Sequence, residues 1–293
     1  MKFAAFEADG REMAGVLCEE EGKIYPFSAW DLSCTTIQEY LNASEEEQAA
    51  VRKAPLHPER ACEAAKVRLL APIPHPAQDV ICLGINYMAH AEESARYSKE
   101  TFGGERPFAV YFSKRVAEAV APEGEIQGHF DLTERLDYEA ELAFIIGKDA
   151  VNVPEDKAAE YVFGYTVLND VSARELQSRH KQWYFGKSLD GFTPIGPVIV
   201  TADEFAFPPA LSIQSRVNGE IRQDSNTSLL IFGIAHIISE LSKGMTLKAG
   251  TIVATGTPAG AGMGFTPPRF LKEGDVVECI IEGLGTLRNT VGK

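Results

Sequence analysis

Two stretches of this 293-residue chain are apolar in a way that suits only the inside of a β-sheet. Val162-Phe163-Gly164-Tyr165-Thr166-Val167-Leu168-Asn169 carries no charge and reads as a fully buried strand. Leu136–Ile146 is the second. Alternate side chains of a strand share a face. Glu139, Glu141, Ala143 and Ile145 therefore point one way, and Tyr138, Ala140, Leu142 and Phe144 point the other. Both faces are apolar toward Ile146, which makes this strand interior as well.

The surrounding pattern is mostly β. Lys2–Glu7 and Met13–Cys18 flank Asp9-Gly10 and read as a hairpin. Thr36–Asn42 reads as a helix, and Ser44 with Glu47 opens a second one, to about Ala54. Pro72, Pro74 and Pro76 then stand at alternate positions, which excludes helix and reads as a stiff extended linker. A domain boundary is expected there, between a small N-terminal α+β domain (1–71) and a larger one (72–293). Past the linker, strands are expected at Val80–Leu83, Phe108–Phe112, Ile195–Val200, Thr251–Thr255 and Val276–Ile281. Asn218-Gly219 marks a hairpin between Leu211–Val217 and Glu220–Gln223. Helices are expected over Asn86–Tyr97, from Ser172 with Glu175 closing its capping box, and over Ser228–Ser242 with a stop at Gly244. The fold class is α+β and β-rich.

Charge and cysteine usage exclude several functions. The net charge is −14, with a pI near 5.0. Nucleic acid and anionic membrane surfaces both need a basic patch, so neither is an expected partner. No stretch is long and apolar enough for a membrane span, and the N-terminus lacks a signal-peptide core. The five cysteines are scattered, with no CxxC pair, so a reduced, cytoplasmic protein without a zinc site is expected.

Several polar residues sit where chemistry is possible. Two glutamates on one face of a buried strand are costly as bare anions. Glu139 and Glu141 read either as a solvated strand end or as a cation site, and their apolar neighbours favour the second. Asp170 ends the uncharged run; alone it reads as the start of a loop. Arg174 and Gln177, three apart, share a helix face and alone are an ordinary solvated pair. His90 and Glu93 are also three apart, and fit either a surface contact or an imidazole made more basic by a carboxylate. Lys187 lies among small residues in Phe185-Gly186-Lys187-Ser188, though a lone lysine is usually solvated. Thr255–Gly264 is a Gly-rich turn after a strand, either a tight turn or an anion cradle, and matches no nucleotide-binding pattern.

Taken in order, these segments resemble the fumarylacetoacetate hydrolase family from about residue 70 onward. The resemblance is carried by Gly84-Ile85-Asn86-Tyr87-Met88-Ala89-His90-Ala91-Glu92-Glu93, Asp137-Tyr138-Glu139-Ala140-Glu141-Leu142 and Gly164–Arg174. Lys187-Ser188-Leu189-Asp190, Val217-Asn218-Gly219-Glu220 and Thr255-Gly256-Thr257-Pro258 continue it. The first 70 residues match more loosely, like the small extra domain of some members. Glu175 stands where aspartate is frequent, and Lys114-Arg115 where Lys-Pro is common.

The resemblance implies mixed β-sheets forming a sandwich or roll, and a homodimer. It implies that Glu139, Glu141 and Asp170 hold a divalent cation, that His90 and Glu93 form a catalytic dyad on a mobile segment, and that Lys187, Arg174, Gln177 and Thr257 hold substrate and developing negative charge. An all-oxygen site selects Mg²⁺ or Mn²⁺. The expected substrate is a small 2-oxo or β-diketo acid. Hydrolysis of an acylpyruvate-type C–C bond is the favoured reading, because a complete dyad exceeds what a decarboxylase needs. Decarboxylation of an oxaloacetate-like acid and keto–enol isomerisation remain open on the same site, and a non-catalytic metabolite-binding protein ranks below them. Ser98–Glu105, with Gly103-Gly104, reads as a lid.

Overall fold

The computed structural model describes residues 1–98, 104 and 107–293. The lid expected over Ser98–Glu105 lies outside the described residues, apart from Ser98 and Gly104.

The two apolar runs occupy the middle of a mixed, eleven-stranded open sheet. From one edge its order is Cys62–Glu63, Lys23–Pro26, Arg11–Cys18, Lys2–Ala8, Ile195–Thr201, Val162–Asn169, Ala140–Ile146, Ile252–Ala254, Val80–Gly84 and Val110–Lys114, with Arg68–Leu69 also paired to Lys2–Ala8. Neighbours are antiparallel except Ile252–Ala254 beside Val80–Gly84. A five-stranded sheet, Glu220–Asn226, Ser212–Val217, Val276–Ile281, Gly285–Val291 and Glu125–Ile126, packs against one face. Leu142, Phe144 and Val167 meet Ile213, Val277, Ile281 and Leu287 in that layer. The other face, with Ala143, Ile145 and Leu168, is covered by Phe3, Phe27, Trp30 and Tyr40 from the first 71 residues. Full burial on both faces explains the uncharged sequence.

The sheet spans the two sides of the Pro-rich linker. Lys2 and Phe3 pair with Val200 and Ile199, so strands from 1–71 extend the sheet of 72–293. Phe163 packs at 5.0 Å, edge-on, against the ring of Phe3.

Three local expectations are corrected. The expected strand Leu136–Ile146 breaks into Leu136–Asp137 and Ala140–Ile146. Side chains serve the backbone at the break: Tyr138 N–H donates to Asp137 (3.0 Å), Glu139 N–H to Asn169 Oδ1 (3.0 Å) and Ala140 N–H to Gln223 Oε1 (3.0 Å). Ser172 does not cap a helix. It lies in a short strand, its hydroxyl donates to Asp170 C=O at 3.0 Å, and the helix begins at Arg174. Glu175 instead accepts from the Thr133 hydroxyl and from Glu134 N–H. The helix expected over Ser228–Ser242 starts only at Ile234, because Asn86 holds the preceding chain through Ile231 N–H (2.9 Å) and Phe232 N–H (2.8 Å).

Candidate active site

The sheet interior delivers three carboxylates to one point. Glu139 lies in the strand break, Glu141 two residues on, and Asp170 just past the neighbouring strand, where its N–H donates to Glu139 C=O at 2.8 Å. One oxygen from each lies within 4.8 Å of the others, and all three side chains are buried.

Buried cations surround them. Lys187 Nζ donates to Glu139 Oε2 and Asp170 Oδ2, both at 2.7 Å. Lys114, fully buried, donates to Asp170 Oδ1 at 2.5 Å and to Val171 C=O at 3.1 Å. Arg174 Nε donates to Asp137 Oδ2 at 2.8 Å, and its Nη2 lies 2.7 Å from Glu139 Oε1, close by distance though not aligned as a hydrogen bond. Asp137 also accepts from Gly262 N–H (2.7 Å) and Met263 N–H (3.0 Å).

The Gly-rich turn is a cradle for the protein's own carboxylates. Besides Asp137, it serves Glu141 through Gly256 N–H (2.8 Å) and Glu93 through Gly260 N–H (3.0 Å). Gly256 has φ +96°, a left-handed conformation, and a Cβ there would meet Asn86 Cβ at 2.8 Å.

Electrostatics divides the three acids. Burial alone would raise the Glu139 carboxyl, but Lys187 and then Arg174 outweigh it and hold it well below the usual range. Lys187 is opposed by burial, yet Asp170 and Glu139 keep its ammonium above the usual lysine value. Among the described residues Glu141 accepts only from a backbone N–H, and burial, then Asp170 and Glu139, push it well up. With Glu141 neutral, Asp137, Glu139 and Asp170 match Lys114, Arg174 and Lys187 in charge. Ionising Glu141 leaves one excess negative charge in a dry interior, which is costly without a cation. Hard oxygen donors, close spacing and an uncompensated carboxyl fit a divalent cation.

The other expected residues meet on a cavity of about 730 Å³ lined by Glu139, Glu141, His90, Arg174, Gln177, Lys187 and Thr257. Gln177 Oε1 accepts from Arg174 Nη1 at 3.1 Å. Thr257 Oγ1 donates to Ala140 C=O (2.9 Å) and accepts from Gln223 (2.7 Å). His90 is buried in the helix Met88–Ser98, its Nδ1 lies 3.6 Å from Glu93 Oε2, and that nitrogen has no hydrogen-bond partner among the described residues. The spacing thus brings His90 and Glu93 together, though beyond hydrogen-bond length. Phe112 and Trp183 form an aromatic wall, their rings 5.2 Å apart.

Two residues at the cluster escaped the sequence reading. Asp137 carries a signal, since it shares the alternation of Glu139 and Glu141. Lys114 carries no local signal, and only its place at the Lys-Pro common in the family marks it.

Residues 79–292 match the model of the fumarylacetoacetate hydrolase C-terminal family. The chain is 46% identical over 228 residues to oxaloacetate tautomerase YisK of Bacillus subtilis, spanning 78% of this chain and 74% of that protein. It superposes on a solved fumarylacetoacetate hydrolase from psychrophilic Exiguobacterium antarcticum with a TM-score of 0.84 and 42% identity, over 100% of this chain and 99% of that one. For a 5-carboxymethyl-2-hydroxymuconate delta-isomerase from Mycobacterium smegmatis the values are 0.75 and 32%, over 100% and 98%. Match length, identity and coverage agree with the order of motifs along the strands, and the chain belongs to the fumarylacetoacetate hydrolase family.

Proposed function

We propose that this protein interconverts the keto and enol forms of a 2-oxo diacid of the oxaloacetate type. The observation that carries this reading is His90, buried on the cavity wall, with its Nδ1 3.6 Å from Glu93 and without a hydrogen-bond partner among the described residues. Tautomerisation needs one group that takes a proton from carbon and one that steadies the charge left on oxygen. It does not need a water polarised by a tightly coupled dyad. The 46% identity to an oxaloacetate tautomerase supports the same chemistry.

Each part of the site has work to do in this reading. Gln177, its Oε1 accepting from Arg174 Nη1 and so held in place by it, presents its amide N–H₂ to the substrate carboxylate. His90 takes the proton from the carbon next to the keto group and delivers it to the enolate oxygen, and from the enol the two transfers run in reverse. Lys187, kept cationic by its carboxylates, faces the oxygen on which charge develops. Phe112 and Trp183 exclude water along one side. A divalent cation held by Glu139, Glu141 and Asp170, with Mg²⁺ and Mn²⁺ as the natural choices, would supply Lewis acidity that favours the enolate.

Hydrolysis of a β-diketo acid is the second reading. Its support is the full-length likeness to a fumarylacetoacetate hydrolase, with 42% identity. Parallel assays separate the two: loss of enol absorbance from oxaloacetate, release of pyruvate from oxaloacetate, and cleavage of an acylpyruvate. The proposal expects enol loss to be the fastest, and His90→Gln to slow it roughly 10²–10⁴-fold. Faster acylpyruvate cleavage would favour hydrolysis, and faster pyruvate release decarboxylation.

A further inference from the structure

One buried side chain crosses from the second sheet to the acid cluster. Gln223 belongs to the edge strand Glu220–Asn226 of the five-stranded sheet, yet it is fully buried and its amide reaches the eleven-stranded one. Its Oε1 accepts from Ala140 N–H at 3.0 Å. Its Nε2 donates to Thr257 Oγ1 and to Pro258 C=O, both at 2.7 Å. Thr257 Oγ1 in turn donates to Ala140 C=O at 2.9 Å. Ala140, Gln223 and Thr257 therefore close a ring in which each donates to the next. Both amide hydrogens are spent, and turning the amide over would set its oxygen against the Pro258 carbonyl. Bonds in such a ring polarise one another, which stiffens a buried network.

The ring closes on the residue between Glu139 and Glu141. Gln223 holds the Ala140 N–H and Thr257 holds its C=O, so the peptide units on both sides of the Ala140 Cα are fixed. Those two units set the directions in which Glu139 and Glu141 leave the backbone. The strand beneath Gln223 also packs tightly on the Gly-rich turn. Gly260 has φ +102°, and a Cβ there would lie 2.0 Å from Arg222 C=O.

We propose that Gln223 is a positioning residue for the cation site: through Ala140 it fixes the Glu139 and Glu141 carboxylates at the separation a small ion needs. This rests on the cation site of the proposed function, and not on which reaction the cation serves. Mg²⁺ demands near-ideal octahedral geometry at about 2.0–2.1 Å, whereas Ca²⁺ accepts irregular shells at about 2.3–2.6 Å. A loosened pair of carboxylates therefore penalises Mg²⁺ more than Ca²⁺.

Calorimetry on chelator-stripped protein, titrated with Mg²⁺ and separately with Ca²⁺, tests this. Gln223→Met keeps the length of the side chain and loses all three hydrogen bonds. It should weaken Mg²⁺ binding about tenfold to a hundredfold, and Ca²⁺ binding by less than about threefold. A side chain that only supported the fold would lower the urea midpoint and leave the ratio of the two affinities unchanged. Thr257→Val opens the same ring from its other side and gives the reading where Gln223→Met does not fold. Its Mg²⁺ affinity should also fall relative to Ca²⁺, and Thr257→Ser, which keeps the hydroxyl, should recover it. In the double variant Gln223→Met/Thr257→Val the losses should not add, because either change alone opens the ring. Equal losses for the two ions, or unchanged Mg²⁺ affinity in a folded variant, overturn the positioning role and leave the cation site standing. A wild type that binds neither ion overturns the cation site, and the positioning role with it.

Discussion

At the scale of single residues, the site is a balance of buried charge with one group left over. Glu141 is that group, and its ionisation has a consequence for stability. Its folded carboxyl lies well above the ordinary value of 4.5, first through burial and then through Asp170 and Glu139. A raised folded pKa means the stabilising contribution is fully present below 4.5 and is lost as pH rises through the folded value. In cation-free protein, Glu141→Gln should therefore lose less stability than wild type as pH rises above 4.5, read by urea unfolding. Parallel stability curves would contradict this. Sequence alternation singled out Glu139 and Glu141 together, but only Glu141 owes its place to the strand period, since Glu139 lies in the break between Asp137 and Ala140. It could not find Lys114. A lone lysine is solvated by default, and only the fold carries its strand against Asp170.

At the scale of elements, the strands were legible and the joints between them were not. The hairpin at Asn218-Gly219 and the buried run Val162–Asn169 appear where period and turn chemistry place them. The break after Asp137 and the late start at Ile234 depend on side chains distant in sequence, chiefly Asn169, Gln223 and Asn86, and the expected capping box at Ser172 fails because Glu175 is taken by Thr133 and Glu134. No local pattern encodes a hydrogen bond donated across 83 residues to Gln223. The Gly-rich turn shows the same division. Its glycines signal a special backbone, but not that its N–H groups serve Glu141, Glu93 and Asp137. Gly256→Ala should destabilise the protein by about 1–3 kcal/mol, since it puts a side chain at positive φ against Asn86. Urea unfolding checks this, and an unchanged midpoint at constant slope would refute the role given to that glycine.

At the scale of the whole molecule, the proline-marked linker does not break the sheet. The family match begins at residue 79, while the strand Lys2–Ala8 pairs directly with Ile195–Thr201. Phe3 and Tyr40 pack on Phe163, so removing residues 1–71 bares apolar side chains and a strand edge. One tryptophan lies on each side of the linker, Trp30 and Trp183. Single-tryptophan variants should report one shared urea transition, and the fragment 72–293 should aggregate. Two separated transitions, or a soluble fragment with native fluorescence, would show that the halves fold independently. No described helix is long and apolar enough to cross a membrane.

The central proposal joins these scales: a sheet interior gathers Glu139, Glu141 and Asp170, which would hold the cation used in the proposed enolisation of a 2-oxo acid. The most direct measurement follows enol absorbance of oxaloacetate in protein stripped by a chelator, before and after adding Mg²⁺ or Mn²⁺, for wild type and Glu141→Gln. The account predicts that stripping abolishes enzymatic enol loss, that either ion restores it in wild type, and that neither ion restores it in the folded variant. Full turnover in the stripped protein, or full rescue of Glu141→Gln, would contradict it.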